Sequence, residues 1–205
     1  MSRALVIISL LLFSNASAYA DSLQSHGAQG LAYLKQKNYN AAITEFTKAI
    51  TADHNSAESY TNRALAYVKA DKLTDAISDA TQAIEIDPKD AVALYLRGTI
   101  YYTLSDFDQA IVDFSQDIEL NPKIAKGYLS RALCFLQENK SNEAVTDLTK
   151  VLELNPKYTR SFYNRAVAFY QLKQYDKAWA DVHKAQALGV TVRPDFIEAL
   201  KKVSP

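Results

Sequence analysis

Apolar residues recur along most of this chain at steps of three and four, which places them on one face of an α-helix. Leu94, Gly98 and Tyr101 make one such stripe, and Ala110 and Phe114 belong to a second that ends near Pro122. Proline cannot continue the helical hydrogen-bond ladder, so a helix is expected to stop there. The pattern predicts two antiparallel helices joined by a short turn.

Sliding the chain along itself returns the same pair repeatedly. Tyr60, Leu94, Tyr128 and Phe162 stand 34 residues apart. So do Ala64, Gly98, Ala132 and Ala166, preceded by Gly30, and so do Ala42, Ala76, Ala110, Ala144 and Ala178. Pro88, Pro122 and Pro156 keep the step, with His54 in the corresponding place of the first copy. Five copies run without insertion, at 23–56, 57–90, 91–124, 125–158 and 159–192. Small residues at positions 8 and 20 of each copy let the two helix backbones approach closely. One hairpin cannot bury its apolar faces alone, whereas stacked neighbours can.

With a large residue at position 4, small ones at 8, 20 and 27, an aromatic at 11, an aromatic or apolar residue at 24 and proline at 32, the chain resembles the tetratricopeptide repeat family. The resemblance implies an all-α fold, a right-handed superhelical solenoid of five helix–turn–helix hairpins. After the fifth copy, residues 193–205 offer Pro194 as a helix starter, then Phe196, Ile197, Leu200 and Val203 on one face and lysines on the other. That is the composition of a C-terminal capping helix, apolar inside and polar outside.

The N-terminus is patterned differently. Arg3 precedes a largely apolar run from Ala4 to Phe13, followed by Ala18-Tyr19-Ala20. This is the layout of a secretory signal peptide at 1–20, with cleavage after Ala20. The run is too short for a membrane span, which needs roughly 17–25 residues. A periplasmic or secreted protein is expected.

Composition then excludes several classes. With 23 basic and 23 acidic residues, scattered rather than blocked, the chain lacks the basic stripe of a nucleic-acid binder. The five glycines are unclustered, so no phosphate loop is encoded. His26, His54 and His183 fall in different copies, and no Cys, Asp or Glu converges on them at ligand spacing, so neither metal nor cofactor is expected. The single cysteine, Cys134, occupies a position that is Ala32, Ala66, Ile100 and Ala168 elsewhere, and reads as a small buried hydrophobe. No catalytic constellation is visible, and a non-enzymatic protein is expected.

Position 7 is Arg63, Arg97, Arg131 and Arg165, and position 23 is Asp79, Asp113, Asp147 and Asp181. Positions whose numbers sum to about 30 lie side by side in an antiparallel hairpin, which predicts an Arg–Asp pair in each of these copies. The first copy carries Gln29 and Glu45 there, predicting a weaker amide–carboxylate version. The third copy also breaks the small-residue rule at position 27, with Asp117, and carries Gly127 at position 3 of the next copy. A carboxylate in a small apolar slot needs hydrogen bonds. Asp117 is therefore expected to fill the space over Gly127, held by a backbone amide or by a hydroxyl such as that of Tyr128.

The resemblance implies that the first helices line a concave groove through positions 2, 5, 6, 9, 12 and 13, which share one helix face. In the last three copies these supply Tyr95, Thr99 and Tyr102, then Lys126, Leu129 and Leu133, then Arg160, Tyr163, Asn164 and Tyr170. The groove is expected to be tyrosine-rich and apolar, with its aromatic rings clear of the core. Some relatives clamp acidic chaperone tails through cations and asparagines in the first three copies. Here those places read Gly27, Leu31, Asn62, Val92 and Leu96, so only Asn62 matches. The expected function is an exported scaffold that binds a peptide or helix of a partner protein, in envelope assembly or secretion. The alternative is a structural homo-oligomer joined through repeat ends or the convex face.

Overall fold

The computed structural model describes residues 24–204, so the leader expected at 1–20 lies outside the described residues. All regular structure among the described residues is helical. The order is α1 (24–35), α2 (Tyr39–Ala52), α3 (Ala57–Lys69), α4 (Leu73–Ile86), α5 (Ala91–Thr103), α6 (Phe107–Leu120), α7 (Ala125–Gln137), α8 (Ser141–Leu154), α9 (Arg160–Gln171), α10 (Tyr175–Ala187) and α11 (Pro194–Val203).

Each hairpin turns in the same way. Lys37, Asp71, Ser105, Asn139 and Lys173 all have φ between 55° and 61°, the left-handed region, at successive 34-residue steps. The next residue's N–H then reaches back to the carbonyl of the position-11 aromatic, as from Lys72 to Tyr67 at 2.9 Å and from Lys140 to Phe135 at 2.8 Å. One left-handed residue thus satisfies carbonyls that the ending helix leaves open. Between copies the chain turns on carboxylate or amide oxygens. Asp53, Asp87 and Asn155 each accept from the N–H two residues on, at 2.9–3.0 Å. Such side chains imitate a backbone turn.

The chain divides into two compact units, one ending at Arg97 and the other beginning at Gly98. In the first unit α3 packs against both α2 and α4. Ala42, Phe46 and Ala66 form a buried cluster under Tyr33, Leu34 and Ile43. The Phe46 ring lies so close over Gly30 that a β-carbon there would come within 2.5 Å of it, which explains the glycine.

In the second unit α7 packs against α6, α8 and α9, and α10 against α9 and α11. Ala166, Ala178, Val182, Ala185, Val192 and Leu200 form its C-terminal core. Leu200 of α11 is fully buried, and Phe196 and Ile197 pack on the same cluster. The Trp179 indole N–H donates to the Ser204 carbonyl at 2.9 Å, tying the last turn of α11 to α10. Val203, expected on the buried face, is the last residue of α11 and is 43% exposed.

Candidate functional site

The arginines at position 7 do more than pair. Arg63 Nε and Nη2 donate to the two carboxylate oxygens of Asp79 at 2.7 and 2.8 Å. Arg131 holds Asp147 and Arg165 holds Asp181 with the same fork, at 2.7–2.8 Å. The remaining Nη1 donates to a hydroxyl of the preceding copy: Thr47 for Arg63, Ser115 for Arg131 and Thr149 for Arg165, at 2.9–3.0 Å. Arg97 does likewise with Thr81 at 3.0 Å. Its expected partner Asp113 belongs to the other unit and is 1% exposed.

Rings at positions 4 and 11 flank the guanidinium groups, as Tyr128 and Phe135 do for Arg131 at 6.0 and 5.7 Å. The aspartate hydrogen bonds hold Arg63 and Arg131 further into their charged form, against the opposing effect of burial. Arg63, Arg131 and Arg165 therefore each stitch their own hairpin and fasten it to the one before. The hydroxyl series at 47, 81, 115 and 149 was legible at the 34-residue step but was not part of the sequence expectation.

The first copy departs from expectation. Glu45 is engaged not by Gln29 but by Lys48 at 2.8 Å and by His26 Nδ1 at 2.6 Å. The Lys48 hydrogen bond, with that of His26, holds the Glu45 carboxyl below its usual range. Gln29 is exposed and donates to Ser25 instead, at 3.4 Å. A cation one turn along the same helix gives Glu45 a charge-assisted hydrogen bond, which a neutral amide cannot match.

Asp117 does sit over Gly127. A β-carbon at Gly127 would lie 2.7 Å from Asp117 Oδ2 and 3.0 Å from Ile118 Cγ1. The carboxylate is 7% exposed and accepts from the Asn121 side-chain amide at 3.2 Å. Tyr128 is not the partner, since its hydroxyl donates to the Pro122 carbonyl at 3.3 Å. Burial raises the Asp117 pKa, and Asn121 and Lys126 only partly offset it.

Of the predicted groove residues, the second unit gathers four into one cleft. Leu129 and Leu133 of α7 and Arg160 and Asn164 of α9 line a depression of about 310 Å³. Lys157, Tyr158, Thr159 and Ser161 complete it, supplied by the turn into α9 and its first residues. Lys157, Tyr158 and Thr159 lie outside the first-helix positions expected to line the groove. The Ser161 hydroxyl is buried and is the one such side-chain atom without a hydrogen-bond partner among the described residues.

The tyrosines take other roles. Tyr163 and Tyr170 were expected clear of the core, but both pack on the C-terminal cluster and meet the Phe196 ring edge-on at 5.5 Å. Tyr170 also leans on Tyr175 at 5.8 Å. The amphipathic α11 covers this part of the first-helix face because burying Phe196 needs apolar partners. Burial raises the Tyr163 hydroxyl pKa accordingly. Tyr102 packs edge-on against Phe107 at 5.6 Å and is half-buried, with its pKa also raised by burial. Thr99 is half-buried and Lys126 exposed, neither lining the cleft, and Tyr95 belongs to the first unit.

The first unit holds an equivalent cleft of about 350 Å³. Gly27, Leu31, Glu58, Ser59 and Asn62 stand where the second has Leu129, Leu133, Arg160, Ser161 and Asn164. Elsewhere, Cys134 is fully buried, donates to the Ser130 carbonyl, and has its thiol pKa pushed up to about 12 by burial. A thiol so shielded is a packing residue rather than a nucleophile. Among the described residues no group of His, Cys, Asp and Glu is placed to hold a metal ion, and no helix is long and apolar enough to cross a membrane.

The comparisons with known proteins agree on the fold. A profile described as "TPR repeat" matches residues 30–71, and one described as "Tetratricopeptide repeat" matches 61–123 and 129–188. No curated protein matches the sequence. Among solved structures, a MamA protein superposes with a TM-score of 0.77 at 20% identity, over 81% of this chain and 91% of that one. YrrB, described as a TPR protein with an unusual peptide-binding site, gives 0.75 at 20% identity over 90% and 97%. PilF of Pseudomonas aeruginosa gives 0.71 at 21% identity over 86% and 80%. The fold is that of an all-α repeat solenoid.

Proposed function

Because the chain belongs to the tetratricopeptide repeat family, we propose that it is a non-catalytic interaction scaffold. It captures an extended or helical segment of a partner protein on the first-helix face of its second unit. One observation carries the reading: the cleft between α7 and α9 is lined by the apolar Leu129 and Leu133 and by the polar Arg160 and Asn164. An apolar lining with a few placed polar groups is the usual make-up of a recognition site. The peptide-binding site described for the similar YrrB structure supports the same use of the fold. The leader-like pattern at 1–20 supports export, and with it a role in envelope assembly or secretion.

A photo-crosslinking residue at Leu133 tests the reading, with a control at Val112, which is 50% exposed on α6. Irradiation in cells is expected to give discrete adducts from position 133, which a peptide from the captured partner competes away. The same adducts from position 112, or none sensitive to competition, would remove the cleft as a binding site. Export is tested separately by N-terminal sequencing of the protein from the periplasm, where a start at Asp21 is expected.

A further inference from the structure

The two walls of the first-unit cleft are fastened by different chemistry. One wall is α3, whose Glu58, Ser59 and Asn62 line the cleft and whose Arg63 forks Asp79. The other is the start of α1, which supplies Gln24, Gly27, Ala28 and Leu31. There His26 stands where Tyr60, Tyr128 and Phe162 lie against an arginine in later copies, and Gln29, in the arginine's own place, turns to Ser25. Glu45, one methylene longer than the aspartates at 79, 147 and 181, meets His26 Nδ1 at 2.6 Å. In the second-unit cleft both walls carry the arginine fork, Arg131 with Asp147 on α7 and Arg165 with Asp181 on α9.

Arginine is charged at every pH a protein meets, whereas an imidazole changes charge near neutrality. A hydrogen bond from an imidazolium to a carboxylate is roughly twice as strong as one between neutral groups. Glu45 is 8% exposed, so little water competes for it. Its other oxygen accepts from Lys48, on the same helix, at 2.8 Å. When the imidazole loses its proton, Glu45 therefore stays paired within α2 while α1 loses its hold. Of the other charged groups on the elements packed here, Arg63 is committed to Asp79 and Thr47, and Glu58 lies exposed in the cleft lining. Farther along α1, the Phe46 ring over Gly30 and the Asn38 N–H on the Tyr33 carbonyl carry no titratable group.

We propose that the His26–Glu45 pair is a pH-sensitive latch on the first-unit cleft, which holds the first turns of α1 in place while the imidazole is protonated and releases them as pH rises through neutrality. The protonated ring gains a partner on folding, so its contribution is full below the imidazole range and is lost as pH rises through it. The Glu45 carboxyl, held below its usual range by Lys48 and then by His26, keeps its charge throughout that window. The latch acts in the first unit and does not depend on the binding proposed for the second.

Hydrogen exchange of the purified protein tests it, with rates corrected for the intrinsic effect of pH. Protection of the amides of residues 28–31 should fall about fivefold between about pH 5.5 and about pH 8, as the bond loses its charge. The corresponding amides of α7, residues 130–133, are held by the Arg131 fork and should not change. His26→Phe restores the ring that Phe162 supplies in the fifth copy and carries no proton to lose, so its protection should be the same at both pH values. Glu45→Gln should abolish the response as well, and it decides the matter if the phenylalanine variant does not fold. Equal protection of 28–31 at both pH values in the parent protein would overturn the latch. So would a response that survives either substitution, which would belong to another group such as His54.

Discussion

Asp147 and Asp117 are both buried carboxylates on second helices, and both face α7, yet the protein accommodates them in opposite ways. Asp147, 3% exposed, is met by a charge: the Arg131 fork takes both oxygens, and the third guanidinium nitrogen is spent on Ser115. Asp117, 7% exposed, is met by the amide of Asn121, which caps the end of its helix, and by the missing side chain of Gly127. The first arrangement follows the repeat, because a paired ion with its hydrogen bonds filled is tolerated in a dry interface. The second is a local exception made by two substitutions that fit each other. A buried acid therefore needs either a counter-charge or room and a donor.

The largest effect should come from breaking the fork. Arg131→Ala strands Asp147 without its partner and should cost about 3 kcal/mol in urea denaturation. Removing Asp147 as well should cost less than the two single losses together. Additive losses would show that the two residues are held by their surroundings rather than by each other.

A smaller and sign-changing effect is expected at Gly127. Alanine at an interior helical position ordinarily gains about 1 kcal/mol over glycine. Here its β-carbon would meet Asp117 Oδ2 at 2.7 Å and Ile118 Cγ1 at 3.0 Å, so Gly127→Ala should instead lose about 1 kcal/mol, as crowded cores do. In an Asp117→Ala background the loss should vanish. If it persists there, the glycine answers to Ile118 and the pairing with Asp117 has no energetic content.

The smallest effect concerns pH. Burial raises the Asp117 pKa above its ordinary 3.8, so the folded state holds the proton more tightly than the unfolded chain. The stability from that proton is fully present below the unfolded value and is lost as pH rises through the folded one. Asp117→Asn cannot ionise, so its stability relative to the parent should rise with pH across that window and then level off. Thermal melts at a series of pH values measure this. A flat difference would mean that the fold does not change the proton affinity of Asp117, and one that falls as pH rises would mean that the carboxylate is better served charged than neutral.

The 34-residue step by itself determined the helices, their pairing and the arginine–aspartate partners, because these depend on spacing within one hairpin. Asp117 over Gly127 was legible for the same reason, since two departures from a repeat stand out against its register. The hydroxyls that take the third arginine nitrogen could have been read at the same step. What only the tertiary structure decided were contests between neighbours for the same group. Glu45 took Lys48 and His26 over Gln29, and Asp117 took Asn121 over Tyr128, because distance and donor charge choose among candidates that spacing leaves equal. The largest such decision was made by α11. Phe196 needed an apolar bed and settled against Tyr163 and Tyr170, which the repeat pattern had left facing outward. No periodicity can assign that contact, because the helix that makes it lies outside the repeat.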